Sequence, residues 1–105
     1  FHGPLFKGIE RIDRCTADGL RLEARTATPP ADWVTEPWRT QWLADPLAID
    51  VALQGLIVWC RTYRDIPCLP TGMGRYRQYR RSFPKGGVTV TIALRAVSEH
   101  RVLAD

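Results

Sequence analysis

The sequence lacks the features that mark several classes of protein. No apolar run reaches the roughly 18–20 residues that a membrane span needs, and the N-terminus has neither the basic nor the apolar region of a signal peptide. Only three cysteines are present, without a CxxC pair, so neither a full disulfide framework nor a zinc site is indicated. Although one pair of cysteines is able to bridge, we expect free thiols, no metal, no membrane contact and a cytoplasmic location.

Motifs of some common enzyme chemistries are missing as well, namely a glycine-rich phosphate loop and a nucleophile elbow. The 105 residues suffice for one small domain, and 15 basic against 11 acidic residues give a net charge of +4. Such a mild excess allows an acidic partner but does not require nucleic acid. We expect a single folded unit over residues 1–105, and the absence of an initial methionine predicts a piece of a longer protein.

Alternating apolar residues predict antiparallel strands on both sides of a central helix. A hairpin is expected within residues 9–27, with its turn at Asp18-Gly19 and a well-alternating second strand. Residues 68–83 are predicted as a strand, residues 84–87 as a turn, residues 88–97 as a strand, and residues 101–105 as the start of another. Residues 1–8 are expected to form a short helical turn or loop.

Residues 45–63 carry the clearest helical signal. Asp45 suits the N-cap, Pro46 suits the first helical position, and the following LAIDVALQGLIVWC is apolar on nearly every side. A helix of that kind is expected to be buried rather than amphipathic. The predicted fold is therefore α+β, with an antiparallel sheet wrapped around a long buried helix.

Residues 28–44 are rich in proline and contain three tryptophans, Trp33, Trp38 and Trp42. The prolines exclude a helix or an interior strand over much of this stretch. Three indole rings in one loop favour packing onto the domain as a cover over the core. The alternative is that they form a wall of an acyl-binding cleft.

Two polar residues, Asp50 and Gln54, lie one turn apart on the same face of the apolar helix. Burial in apolar surroundings favours the protonated form of a carboxyl group, and a carboxylic acid kept neutral can serve as a general acid. The Gln54 amide is able to hydrogen-bond Asp50 and hold its rotamer. The structural alternative is that Asp50 caps backbone groups or meets an arginine from a distant strand.

Two further candidates are less specific. His2 lies beside Gly3-Pro4, where a histidine serves either as a local hydrogen-bonding residue or as a catalyst. The segment from Arg75 to Arg81 is basic and aromatic, and in a strand Arg75, Arg77, Tyr79 and Arg81 would face one way. It is either a solvated edge strand, a surface for an acidic protein, or a nucleic-acid patch, and we favour the first two.

Taken together, three segments resemble the dehydratase domains of polyketide synthases. HGPLF at residues 2–6 is similar to their YGPxF motif, with His2 in the place of tyrosine. DPLAIDVALQ at residues 45–54 is similar to their HPALLDAALQ segment, and LPTGMGRYRQYR at residues 69–80 occupies the place of a strand that begins with Leu-Pro. The variants look most like enediyne and polyunsaturated fatty acid synthases.

The resemblance implies a double hotdog fold, of which this chain would be the second hotdog, truncated at its C-terminus. The first hotdog of the family carries a catalytic histidine in an HxxxGxxxxP motif, and neither His2 nor His100 has that spacing. The chain is therefore expected to be inactive without an upstream half. A homodimer of the parent synthase is a further expectation.

The implied reaction is the dehydration of a β-hydroxyacyl thioester on an acyl carrier protein. Asp50 would protonate the leaving hydroxyl, Gln54 would orient Asp50, and His2, Gly3 and Pro4 would contact the substrate. No cofactor is implied beyond the phosphopantetheine of the carrier, which would dock on Arg75, Arg77 and Arg81. The alternative is a catalytically silent hotdog for scaffolding or carrier docking.

Overall fold

A computed structural model describes residues 3–105 and shows one helix packed on a four-stranded antiparallel sheet. The strands are β1 (Ile9–Thr16), β2 (Gly19–Ala24), β3 (Val88–Val97) and β4 (Val102–Ala104), in that order across the sheet, and the helix α1 spans Pro46–Arg64. This α+β arrangement is consistent with a hotdog fold and confirms the predicted fold class.

The sheet follows the apolar alternation of the sequence. In β2 and β3, Leu20 lies opposite Ile92 and Leu22 lies opposite Val90, so the apolar side chains share one face. β1 has register shifts between Ile9 and Arg11 and again further along, which explains why its apolar residues do not alternate. The hairpin turn consists of residues 17–18, one position earlier than predicted, and Gly19 begins β2.

Gly19 is the residue that allows this hairpin to pack against β3. Its φ is 155°, and a Cβ placed there would come within 1.9 Å of the Ile92 carbonyl oxygen. Only glycine lacks that atom, so the close approach of the two strands depends on it.

The helix begins and ends within one residue of the predicted bounds, 45–63. The Asp45 carboxylate accepts a hydrogen bond from the Ala48 amide at 2.8 Å, Pro46 occupies the first position, and Arg61 and Arg64 lie in the last turn. The chain leaves the helix at Asp65, whose φ of 49° is left-handed.

The burial of α1 is one-sided, which corrects the expectation of a helix buried all round. Its buried residues face the sheet, whereas the apolar residues Ile49, Leu53 and Ile57 on another face are half-buried. One four-stranded sheet has room to cover only one side of a helix. The core is formed by Leu20, Leu22, Ala24, Leu47, Val51, Trp59, Cys60 and Ile92.

Residues 65–87 contain no helix or strand, so the strand predicted over residues 68–83 is wrong. Leu69 and Tyr79 are 75% and 86% exposed, and the segment therefore buries little that would stabilise an ordered strand. β3 pairs with β2 and β4, and residues 68–83 join neither edge of the four-stranded sheet. Arginines in this segment consequently do not share a strand face.

Candidate active site

Asp50 and Gln54 meet on the half-buried side of α1. The Gln54 side-chain amide donates two hydrogen bonds, one to the Asp50 carboxylate and one to the Phe6 carbonyl oxygen at 2.9 Å. Both amide hydrogens are thus used, which fixes the orientation of the Gln54 side chain. The pair is half-buried, so the full burial expected for Asp50 is corrected to partial burial.

The segment before β1 forms the other wall of this corner. Pro4–Phe6 is a 3₁₀ turn, in which the Phe6 amide donates to the Gly3 carbonyl at 3.0 Å. The Phe6 ring meets the Trp33 ring edge to face, with centroids 5.0 Å apart. The turn brings Gly3 and Pro4, both exposed, to the chain segment that Gln54 contacts. His2 lies outside the described residues.

Gly8 allows the N-terminal segment to lie directly on the helix. A Cβ at Gly8 would stand 2.4 Å from Cγ2 of Val51 and 2.7 Å from Cδ1 of Leu47. The next residues are tied to β2, because the Arg25 amide donates to the Gly8 carbonyl at 2.9 Å. The sequence analysis missed Gly8 as a positioning residue, since a single glycine in a loop gives no signal of what approaches it.

Asp45 positions the start of the helix relative to the sheet. Its carboxylate, buried with 6% of the residue exposed, accepts from the Ala27 amide at 2.9 Å as well as from the helix. The capping role was predictable from Asp-Pro, whereas the bond to Ala27 depends on two segments that are distant in sequence. It holds the end of β2 against the beginning of α1.

The tryptophan-rich loop covers the core only in part. Trp33 and Trp42 pack edge to face at 5.7 Å, and the Trp42 indole N–H donates to the Thr28 carbonyl at 2.7 Å. Trp38, in contrast, is completely exposed. The cover that the sequence predicts therefore consists of two of the three indoles.

Two adjoining grooves open beside this loop, with volumes of about 940 and 490 Å³. They lie between residues 38–43 and residues 78–85, and neither is lined by Asp50 or Gln54. Of the three arginines expected to form one docking face, Arg81 lines both grooves, whereas Arg75 and Arg77 are exposed outside them. Asp50 and Gln54 therefore share neither of these two grooves with Arg81.

The cysteines are free thiols, as expected. Burial raises the pKa of Cys60 to about 11, and a hydrogen bond to Cys68 contributes in the same direction. Burial also raises the pKa of Cys15. Because the thiolate is the reactive form, Cys15 and Cys60 are poor nucleophiles at neutral pH.

Two searches of the described residues concern other kinds of site. Over residues 3–105, no three His, Cys, Asp or Glu side chains come together in a way that would hold a metal ion. Within the same residues, no helix combines the length and the apolar character that crossing a membrane requires.

Comparison with known proteins identifies a family model that spans the whole chain and a relative that matches most of it. The family model described as polyketide synthase dehydratase N-terminal domain matches residues 1–105. A polyunsaturated fatty acid synthase polypeptide of Thraustochytrium sp. (strain ATCC 26185 / S-3) is 35% identical over 81 residues, which are 76% of this chain and 3% of that protein. No solved structure matches. Because this family model describes the N-terminal domain, the match does not support the expected place of the chain in the second hotdog.

Proposed function

The chain belongs to the family of polyketide synthase dehydratase domains, and from that premise we propose that Asp50 is the general acid in the dehydration of β-hydroxyacyl thioesters. The observation that carries the proposal is the Gln54 amide, which binds the Asp50 carboxylate and the Phe6 carbonyl at the same time. It joins the two motifs of the resemblance, at residues 2–6 and 45–54, in one corner of the fold.

In the proposed reaction, a base removes the α-proton of the thioester, and the released electron pair forms the α,β double bond. The C–O bond of the β-hydroxyl breaks as protonated Asp50 donates its proton, so that water leaves and an enoyl thioester remains. Proton transfer from the base back to Asp50 resets the site. Electrons and atoms balance without a redox partner, and the acyl chain is carried on the phosphopantetheine of an acyl carrier protein.

We propose the remaining roles from the same corner. Gln54 acts as a positioning residue that holds Asp50, and Gly3 and Pro4 border the substrate, with His2 beside them in sequence. The Gly3 amide is suited to the thioester carbonyl. The base is supplied by a histidine from another hotdog, because the sequence lacks HxxxGxxxxP.

The place of the chain in the double hotdog is a separate proposal. We place it second, because the aspartate motif is present and the histidine motif is not. The description of the matched family model favours the N-terminal place instead. In the full-length protein, an HxxxGxxxxP motif upstream of residue 1 supports our placement, and one found only downstream of residue 105 contradicts it.

Replacing the acid tests the function directly. In the complete dehydratase domain, Asp50→Asn should lower turnover of a β-hydroxyacyl thioester by roughly 10²–10⁴-fold, because asparagine has nearly the same shape but no acidic proton. Gln54→Ala should lower it less. Asp32→Asn, at an exposed aspartate of the loop, serves as the matched control and should leave turnover unchanged. A near-normal rate in Asp50→Asn with an unchanged circular dichroism spectrum would contradict the assignment.

The second candidate function is a catalytically silent hotdog for scaffolding or carrier docking. It is favoured by one observation, namely that the two grooves lie away from Asp50 and Gln54. We expect residues 1–105 alone to show no dehydratase activity and to gain it when the histidine-bearing half is added in trans. Failure to gain activity with a folded mixture favours the silent module, and turnover by residues 1–105 alone contradicts the need for a second half.

We further propose that Arg75, Arg77 and Arg81 attract the acyl carrier protein. All three are exposed on the irregular segment 65–87, and among residues 3–105 none of their side chains has an ion-pair partner. Carrier proteins of this family are expected to be acidic, so complementary charge would raise the association rate. The upstream hotdog and a second copy of the parent synthase are the other partners we propose.

A further inference from the structure

The larger groove is an open depression of the loop region. It has a volume of about 940 Å³ and runs between residues 38–43 and residues 78–81. Gln78 ties its two walls together, because its side-chain amide donates to the Leu43 carbonyl at 2.9 Å and to the Arg80 carbonyl at 2.6 Å. The hydroxyl of Tyr76 donates to the Gln78 side-chain oxygen at 2.7 Å, which fixes that amide further.

The charge of the groove is of one sign. Arg39 stands on one wall and Arg80 and Arg81 on the other, and Lys85 lines the adjoining smaller groove. Within the part of the chain that the structure describes, no ion pair or side-chain hydrogen bond occupies these four cations. Asp45 lines the smaller groove, and its carboxylate already accepts hydrogen bonds from the Ala27 and Ala48 amides. A ligand of this groove is therefore expected to be an anion.

The groove also displays aromatic surface. Trp38 is 100% exposed and Tyr79 is 86% exposed, and both line the larger groove. Neither ring contributes to the core, so packing within the chain does not account for the presence of an aromatic side chain at either position. Aromatic faces beside arginines form the combination that binds a planar base and its phosphates, because the rings stack while the guanidinium groups bind phosphate oxygens.

From these observations we propose that the groove between residues 38–43 and 78–81 binds a nucleoside phosphate. The phosphates would contact Arg39, Arg80 and Arg81, and the base would stack on Trp38. An inorganic anion would leave both rings unused, and an acyl chain would leave the three arginines of the groove without an anion. The proposed site is separate from the proposed acid, because Asp50 and Gln54 line neither groove, but it shares Arg81 with the proposed carrier-docking surface.

The test is titration of the full-length protein that contains this chain with ADP, by calorimetry and by quenching of tryptophan fluorescence. We expect saturable binding of ADP, with adenosine and pyrophosphate each binding at least about tenfold more weakly. Trp38→Ala should weaken ADP binding by about tenfold or more and leave pyrophosphate binding unchanged. Arg39→Ala with Arg80→Ala should weaken the binding of both.

Arg14→Ala, at an exposed arginine of β1 outside the groove, is the matched control and should bind ADP normally. Trp38 has no buried surface to lose, so its variant is expected to fold, which a thermal melt checks. The proposal is overturned if ADP fails to bind at millimolar concentration, if pyrophosphate binds as tightly as ADP, or if Trp38→Ala changes nothing. Binding of single-stranded oligonucleotides with an affinity that rises with length, and exceeds that for ADP, would overturn it in favour of a nucleic-acid surface.

Discussion

The region of β1, β2 and α1 and the region of the two long loops, residues 28–44 and 65–87, are built in opposite ways. In the first, backbone hydrogen bonds form a ladder and a helix, and the periodic apolar residues are buried between them. In the second, isolated bonds from Trp42 and Gln78 to backbone carbonyls hold the chain. Regular structure arose where a periodic apolar stripe had a surface to pack against.

The two regions also carry different candidate chemistries. The regular region holds Asp50 and Gln54 at helical spacing, with their geometry supported by buried neighbours. The loop region holds the arginines and the exposed rings around the grooves. A site on a packed helix depends on the core, whereas a charged loop surface does not, and substitutions in the two regions should therefore differ in their effects on stability.

The largest difference is expected from matched leucine substitutions. Leu22→Ala should reduce the free energy of unfolding by roughly 2–5 kcal/mol, because Leu22 is completely buried in the core and alanine leaves a cavity. Leu69→Ala, in the loop region at 75% exposure, should change it by at most about 0.5 kcal/mol. Urea unfolding of the chain in its complete domain measures both. Equal losses would mean that the loop is part of the core.

A smaller difference is expected from two glycine substitutions. Gly8→Ala should cost about 1–3 kcal/mol, because its Cβ would overlap Val51 and Leu47. It should also lower dehydratase turnover, since the displaced segment carries the Phe6 carbonyl away from Gln54. Gly72→Ala has no atom within 4 Å of the new Cβ and should be nearly neutral in both measurements. Normal turnover in a destabilised Gly8→Ala variant would show that the Phe6 contact does not support the site.

The smallest effect concerns the charged loop. Arg75→Glu with Arg77→Glu should leave stability unchanged, because both side chains are exposed. The apparent KM for a carrier-bound substrate should rise by about tenfold, and the KM for a small thioester should stay the same. Arg14→Glu with Arg21→Glu, exposed neighbours across β1 and β2, makes the same charge change elsewhere. A rise for both substrates, or an equal rise in this control, would argue against carrier docking by the loop.

Much of the regular region was predictable. The Asp-Pro start of the helix, its length and the alternation of β2 and β3 are local signals, and each appears in the structure within one or two residues. The spacing of Asp50 and Gln54 placed them on one face, and the contact between them follows. The bulges of β1 were not predictable, because they depend on how β2 pairs with it.

The errors share one cause, namely that local pattern says nothing about available partners. Residues 68–83 contain residues typical of strands, yet they pair with no strand of the sheet, and Leu69 and Tyr79 among them stay 75% and 86% exposed. The helix sequence is apolar all round, yet a single sheet buries one side of it. In the same way, three similar tryptophans differ, since Trp33 and Trp42 meet each other and Trp38 meets solvent.

By itself, the sequence determined the helix, its N-cap, the alternation of β2 and β3 and the helical spacing of Asp50 and Gln54, because these are patterns among residues that are close along the chain. Only the tertiary structure decided that Phe6 joins Gln54, that Asp45 ties Ala27 to the helix, and that loops 28–44 and 65–87 enclose a basic groove. The two hydrogen bonds join residues that are 18 and 48 positions apart in the chain. No local periodicity encodes which distant backbone atom a side chain will meet.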